Sequence, residues 1–138
     1  MDIAPPGYRI IHAPPTDDRD GGGQAVIFHH NLNIASVPLP FVPSRFDAQI
    51  VRLITGSERF LLINIYRPPR YIEAAFFDEL SDFYDATTNL GGHPVLLGDI
   101  NCLGNTPDTY DVRLSAWLSC YDLITVTDGP TRMHHDGS

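Results

Sequence analysis

Apolar and polar residues alternate along the first half of the chain in short runs of strand length, separated by glycine, proline and aspartate. Residues 7–13 and 24–30 are predicted to be strands, and residues 33–39 are predicted to be the hairpin partner of 24–30. The runs at 48–55 and 59–66 are separated by Gly-Ser-Glu, which is typical of a tight hairpin turn. The first half of the chain is therefore predicted to form antiparallel strand pairs.

The spacing of apolar residues changes after residue 70. Residues 71–85 carry apolar side chains at helical spacing with carboxylates between them, which predicts an amphipathic helix. Residues 93–99 form a continuous apolar run, predicted to be a central strand that is covered on both faces. A second helix is predicted after the Thr106-Pro107 cap, and a last strand at 123–127. Strand pairs mixed with helices predict an α/β or α+β sheet sandwich. The apolar stripes predicted to anchor the two helices in the core are Ile72, Phe76, Leu80 and Phe83 in the first and Leu114, Trp117, Leu118 and Tyr121 in the second.

Length and charge narrow the possible functions. A chain of 138 residues with 43% apolar residues is long enough for one domain with a core, so residues 1–138 are assigned to a single domain. The net charge is −8, and every basic residue is an arginine. Proteins that hold nucleic acid by bulk electrostatics are basic, so any phosphate must be bound here at a local site, with the help of a metal cation. The carboxylates between residues 73 and 85 are expected to form a solvated helix face.

No sequence feature points to secretion or to a membrane. No apolar run reaches the roughly 18 residues that span a bilayer, and the first residues lack the pattern of a signal peptide. The two cysteines, Cys102 and Cys120, do not form a CxxC pair. An intracellular protein is therefore expected, with nucleus and cytoplasm left open.

Two polar residues, Asp99 and Asn101, stand at the end of the predicted strand 93–99 and just beyond it. Gly98 permits a sharp exit from the strand, and the single residue between Asp99 and Asn101 puts both side chains on the same side of an extended segment. A carboxylate and a carboxamide at the C-terminal end of a strand can position a water molecule and a phosphoryl oxygen. A plain turn is the alternative interpretation.

A tyrosine ends the other strand, in the sequence NIYRPPR. The phenol of Tyr66 can donate a hydrogen bond to a phosphate oxygen, and Arg67 or Arg70 can add positive charge. The alternative is a half-buried boundary tyrosine with its hydroxyl group in water. Two histidine groups, His29-His30 and His134-His135-Asp136, are expected to be solvated loop or strand-end residues rather than metal ligands.

The order of these motifs resembles the endonuclease/exonuclease/phosphatase superfamily. The segments GGGQAVIF (21–28), NIYRPP (63–68) and VLLGDINC (95–102) look like those of the AP-endonuclease-like domains linked to reverse transcriptases in non-LTR retrotransposons. The Pro-Thr pair at 130–131 also resembles a late segment of those domains. Ile100 stands where phenylalanine is commoner. The resemblance covers about residues 7–138.

The resemblance implies a DNase I-like fold, which is a four-layered α/β sandwich flanked by helices, and Mg²⁺-dependent phosphodiester cleavage, with Mn²⁺ as an alternative metal. DNA is the implied substrate, and a fused reverse transcriptase is an implied partner. By the same resemblance, Tyr66 contacts the phosphate, Asp99 orients or deprotonates the attacking water or serves the leaving oxygen, and Asn101 holds phosphate and nucleophile. Asn64 and Thr131 are weaker matches to the family, expected in supporting positions, and Arg67 and Arg70 are expected to bind the substrate through their charge.

Several features of the family are missing from the sequence. A metal-ligating glutamate is expected before the first strand and an Asp-His pair after the last one, and neither is present. The metal ligands are therefore left unassigned, and the chain is interpreted as an internal piece of the domain, truncated at both ends and nearly inactive alone. Two alternatives remain: another phosphoesterase of the superfamily, acting on a lipid or inositol phosphate, and a degenerate copy that serves at most as an interaction module.

Overall fold

The computed structural model describes residues 4–13, 23–68, 75–100 and 109–124. These residues form six strands and two helices in an α/β arrangement. In chain order the elements are β1 (Tyr8–Ala13), β2 (Gln24–His29), β3 (Asn33–Val37), β4 (Asp47–Thr55), β5 (Glu58–Tyr66), α1 (Ala75–Thr88), β6 (His93–Asp99) and α2 (Thr109–Cys120).

The strands belong to two sheets. β1 and β2 form an antiparallel pair, whereas the second sheet has the order β3-β4-β5-β6 with β6 parallel to β5. The expected hairpin between residues 24–30 and 33–39 is wrong, because β2 pairs with β1 and β3 pairs with β4. The chain changes sheets between β2 and β3. This places Val37 opposite Ile50 in the main core, where both side chains are buried.

The predicted β4–β5 hairpin is confirmed. Its turn contains Gly56 at a φ of 61°, a conformation that suits glycine. The ladder runs from Thr55 opposite Glu58 to Asp47 opposite Tyr66. Because side chains alternate along each strand, one face of this hairpin carries apolar residues and the other carries Tyr66 at its end.

Helix α1 covers the apolar face of the four-stranded sheet. Phe76, Leu80 and Phe83 are fully buried there against Ile63 and Ile65 of β5. Trp117 of α2 joins the same core with 7% of its surface exposed, so both predicted helix anchors are confirmed. The partly buried residues that complete the stripe of α2 are Leu114, Leu118 and Tyr121.

The β1–β2 sheet lies on the opposite face of the four-stranded sheet. Gln24 donates its Nε2–H to the Asn64 carbonyl at 2.8 Å, and Gln49 donates to the Ile11 carbonyl at 3.0 Å. Helices, a four-stranded sheet and a two-stranded sheet are thus three stacked layers within the described part of the chain. The predicted α/β sandwich with two facing sheets is confirmed.

The predicted strand at residues 93–99 is confirmed as β6. The expectation that it is covered on both faces is wrong, because one face is exposed in the described part of the chain. Val95 is 39% exposed and Leu97 is 40% exposed. β6 is one of the two edge strands of the four-stranded sheet in the described part of the chain, and the β1–β2 sheet contacts β4 and β5 instead. Leu96, on the other face, packs against the core under the helices.

The acidic face of α1 faces solvent, as predicted, at Asp78, Asp82 and Asp85. Glu79 differs, because its carboxylate accepts hydrogen bonds from the backbone N–H groups of Ser44 and Arg45 at 2.8–3.1 Å. This carboxylate therefore fixes the loop that leads into β4.

Some predicted elements fall partly or wholly outside the described residues. The Thr106-Pro107 cap lies outside them, as do residues 71–74 of the first helix and residues 125–127 of the last strand. Leu123 and Ile124, the first two residues of that predicted strand, are not in a strand. Over the ranges given above, no helix is long and apolar enough to cross a membrane.

Candidate active site

Tyr66 and Asp99 are the last residues of two adjacent parallel strands and lie directly opposite each other. Residues paired in this way project their side chains from the same face of the sheet. The Tyr66 side chain is half-buried and Asp99 is exposed. The prediction that both residues sit at the ends of neighbouring strands is confirmed. Ligands of open α/β sheets bind at this C-terminal edge of the strands, so the pair marks a candidate site.

Gly98 shapes the end of β6 just before Asp99. Its φ is +121°, a backbone conformation that residues with a side chain rarely adopt. The residue is paired with Ile65, one step before the Tyr66–Asp99 pair. The backbone conformation at the end of β6, just before Asp99, therefore requires glycine at position 98.

Asn64 lies on the same face of β5 as Tyr66, two residues earlier, but between the two sheets. Its Nδ2–H donates to the Oε1 of Gln49 at 3.4 Å, and its carbonyl accepts the bond from Gln24. The side-chain amide of Asn64 thus joins β5 to β4, and its backbone carbonyl joins β5 to the other sheet. This placement fits the supporting role expected from the sequence better than direct contact with a substrate.

Asp47 is a carboxylate of this region that the sequence analysis did not single out. It lies opposite Tyr66 on β4 and is only 1% exposed. Tyr66 is therefore flanked by Asp47 on one neighbouring strand and by Asp99 on the other. The predicted strand began one residue too late to include Asp47. Pairing the two strands residue by residue outward from the turn at Gly56 would have placed Asp47 opposite Tyr66.

Arg67 does not lie where a phosphate-binding arginine was expected. Its side chain is 2% exposed, and its guanidinium carbon lies 5.4 Å from the centre of the Phe76 ring. The Nε–H donates to the Ile100 carbonyl at 2.6 Å. A guanidinium enclosed in this way is not presented to a phosphate arriving from solvent, so the expected substrate contact finds no support in this placement.

Four groups of predicted site residues lie outside the described residues. They are Arg70, Asn101, Thr131 and, expected to be solvated rather than part of a site, the segment His134-His135-Asp136. The roles given to them by the sequence remain predictions.

Metal binding was tested on the described residues. No group of three or more His, Cys, Asp or Glu side chains able to hold a metal ion occurs among them. Asp99 is the one exposed carboxylate at the candidate site in this part of the chain. His29 and His30 stack on each other with ring centres 4.7 Å apart, and His29 Nδ1 lies 2.5 Å from the Asn31 Oδ1. A complete coordination sphere is therefore not formed by the described side chains.

The fold was compared with solved structures. It is similar to the endonuclease domain of TRAS1, a telomere-specific non-LTR retrotransposon, with a TM-score of 0.67 and 18% sequence identity. The match covers 92% of this chain and 58% of that one, so this chain spans less than two thirds of the structure it matches. No family model and no curated protein matches the sequence. At this identity the similarity establishes the fold, and it agrees with the DNase I-like fold expected from the motifs.

Proposed function

We propose that the protein is a metal-dependent phosphodiesterase that nicks DNA, with its active site at the ends of β5 and β6. The observation that carries the proposal is the pairing of Tyr66 with Asp99 on one face of that edge. The fold shared with a retrotransposon endonuclease domain supports the same assignment. Residues 1–138 are proposed to be part of one such domain.

The proposed roles follow from the chemistry of the side chains. The phenol of Tyr66 is a hydrogen-bond donor for a non-bridging phosphate oxygen, and the Asp99 carboxylate accepts a proton from, or orients, the attacking water. Asn101, two residues beyond Asp99, is proposed to hold the phosphate through its amide. Phosphodiester cleavage depends mainly on positioning and on neutralisation of charge, and a pair at a fixed strand end provides the first of these.

A divalent cation, Mg²⁺ or alternatively Mn²⁺, is proposed to supply the neutralising charge. Mg²⁺ favours oxygen ligands in near-octahedral geometry and stabilises charge on phosphoryl oxygens. Because the described residues offer only Asp99 as an exposed carboxylate at this edge, no step is assigned to the metal. The remaining ligands are proposed to come from other parts of the full protein.

DNA is the proposed substrate, and a reverse transcriptase is the proposed neighbour in the full protein. The net charge of −8 disfavours a broad basic surface, so contact with DNA is expected to be local to the strand ends. Two alternatives are retained from the sequence: a phosphoesterase acting on a lipid or inositol phosphate, and a degenerate copy without activity.

The test uses the chain extended on both sides by its flanking coding sequence. It is incubated with supercoiled plasmid, and separately with an inositol phosphate, in Mg²⁺ and in EDTA. Nicked circles in Mg²⁺, none in EDTA and no phosphate release are expected. Phosphate release without nicking would establish the lipid or inositol phosphate alternative. Inactivity of the extended protein on both substrates would establish the degenerate copy. The 138-residue chain is expected to be nearly inactive in the same assay, because groups that act as a unit lose most of their effect when some are absent.

A further inference from the structure

We propose that Arg67 is a positioning residue, which fixes the backbone that carries Asp99 and leads directly into Asn101. The effect of Arg67 on catalysis rests on the proposed function. Its effect on the backbone of the strand end is inferred from the contacts of Arg67 alone. Two successive carbonyl groups of the β6 exit accept hydrogen bonds from this residue. Asp99 accepts from the backbone N–H of Arg67 at 2.9 Å, and Ile100 accepts from its Nε–H at 2.6 Å.

The burial of Arg67 makes its hydrogen bond to the Ile100 carbonyl important for stability. Among the arginines that the structure describes, only Arg67 is buried. A guanidinium removed from water is costly unless it is hydrogen-bonded, and a hydrogen bond from a charged donor is stronger than one between neutral groups. The Phe76 ring, at the start of α1, lies under the guanidinium at 5.4 Å. The side chain is thus held between the core and the backbone of the candidate site.

The direction of the side chain explains why a surface role is not its function. Tyr66 and Arg67 are consecutive, and successive residues of an extended chain point to opposite sides. Tyr66 therefore points to the face it shares with Asp99, while Arg67 turns into the helix-covered core. Tyr66 thus faces the proposed substrate side, and Arg67 binds the end of β6 from the opposite, helix-covered side.

The planar guanidinium suits this task better than an ammonium group. In arginine the Nε donor lies within the side chain and has a fixed direction, whereas lysine has a methylene at that position and carries its donors one atom further out. Arg67→Lys keeps the charge but removes the Nε donor. Arg67→Gln removes the charge and shortens the side chain. Arg59→Lys, at an exposed position on the same strand, is the matched control.

The first test measures amide hydrogen exchange by NMR in the 138-residue chain. For Arg67→Lys and Arg67→Gln, the amide of residue 67, which donates to the Asp99 carbonyl, is expected to exchange about ten- to a hundredfold faster, the change that follows from losing one charge-assisted hydrogen bond that holds this strand end. Amides within α1 are expected to stay within about twofold of wild type in the lysine variant. Unchanged exchange of the residue 67 amide in both variants would overturn the proposal. Equal acceleration throughout α1 in the lysine variant would also overturn it, in favour of a general role in the core.

The second test measures plasmid nicking in the extended protein. A positioning residue predicts a kcat at least about tenfold lower for Arg67→Lys with KM for DNA unchanged, because a misplaced reacting group slows the chemical step. A higher KM with normal kcat would instead identify a substrate contact and overturn the proposal. If the wild-type extended protein does not nick DNA, the proposed function fails, while the exchange experiment still decides whether Arg67 orders the strand end.

Discussion

Gly98 lies so close to Ile65 on the neighbouring strand that a Cβ atom at Gly98 would sit 1.9 Å from the Ile65 carbonyl oxygen. No side chain fits into this space. The contact is one residue before the Tyr66–Asp99 pair, so the close approach of the two strands helps to fix the backbone positions of Tyr66 and Asp99.

Gly98→Ala is therefore expected to destabilise the protein more than alanine at another glycine with positive φ. Gly91→Ala is the matched control, because Gly91 has a φ of +83° and open space around its Cα. The control is expected to lose about 1–2 kcal/mol of unfolding free energy from backbone strain alone, and Gly98→Ala at least about 1 kcal/mol more. Urea denaturation followed by circular dichroism measures both. Equal losses would mean that β6 shifts away from Ile65 at little cost.

Phe76 is fully buried at the start of α1, in contact with the rings of Phe46 and Phe77. Phe76→Ala is expected to lower the unfolding free energy by about 3–5 kcal/mol, from lost burial and the cavity left behind. Val42→Ala, at a side chain that is 70% exposed, is the control and should change it by less than about 0.5 kcal/mol. A loss below about 1 kcal/mol for Phe76→Ala would contradict its place in the core.

Trp117 connects the two helices through a hydrogen bond and a ring contact. Its Nε1–H donates to the Ser81 hydroxyl oxygen at 2.8 Å, and its ring packs on Tyr84. Ser81→Ala removes the acceptor and is expected to cost about 1–3 kcal/mol, the penalty for an unsatisfied buried donor. A double-mutant cycle with Trp117→Phe measures the coupling between the two residues. Independent, additive losses would show that the hydrogen bond does not join α1 to α2.

Tyr84 gives a prediction about pH. Burial raises the pKa of the Tyr84 hydroxyl above its ordinary value of 10.0, and the nearby Tyr121 and Asp85 raise it further. Since the folded-state pKa is above the unfolded one, the contribution of Tyr84 to stability is complete below pH 10 and is lost as the pH rises through the folded-state pKa. The unfolding free energy of wild type minus that of Tyr84→Phe is therefore expected to be constant up to about pH 10 and to fall above it. The same substitution at the exposed Tyr8 is the control. A constant difference up to pH 11 would contradict the raised pKa.

Local patterns were enough to predict most of the fold. The β4–β5 hairpin and the apolar stripe around Phe76 depend on residues close in sequence, where side-chain periodicity is informative. The pairing of 24–30 with 33–39 was wrong because strand partners depend on contacts distant in sequence. Nothing local shows that Phe28 belongs to one sheet and Val37 to the other.

The candidate site was predictable only in part, for reasons visible in single residues. Tyr66 and Asp99 were found because a polar group at the end of an apolar strand is unusual, and parallel strands bring such ends together. The burial of Arg67 was not predicted because a charged side chain next to a candidate site normally faces solvent, and this burial depends on α1 and on the Ile100 carbonyl. Asp47 was missed because its neighbour Tyr66 is apparent only from the register of the hairpin.

The most direct test of the proposed site compares Asp99→Asn with Asp82→Asn in the extended protein, using nicking of supercoiled plasmid in Mg²⁺. Both changes remove one exposed carboxylate, but only Asp99 lies opposite Tyr66. Asp99→Asn is expected to lower kcat about 10²–10⁴-fold, the usual contribution of a positioned acid or base, with the protein still folded by circular dichroism. Asp82→Asn is expected to stay within about twofold of wild type. Nicking at the wild-type rate by folded Asp99→Asn would contradict the assignment of the active site to the ends of β5 and β6.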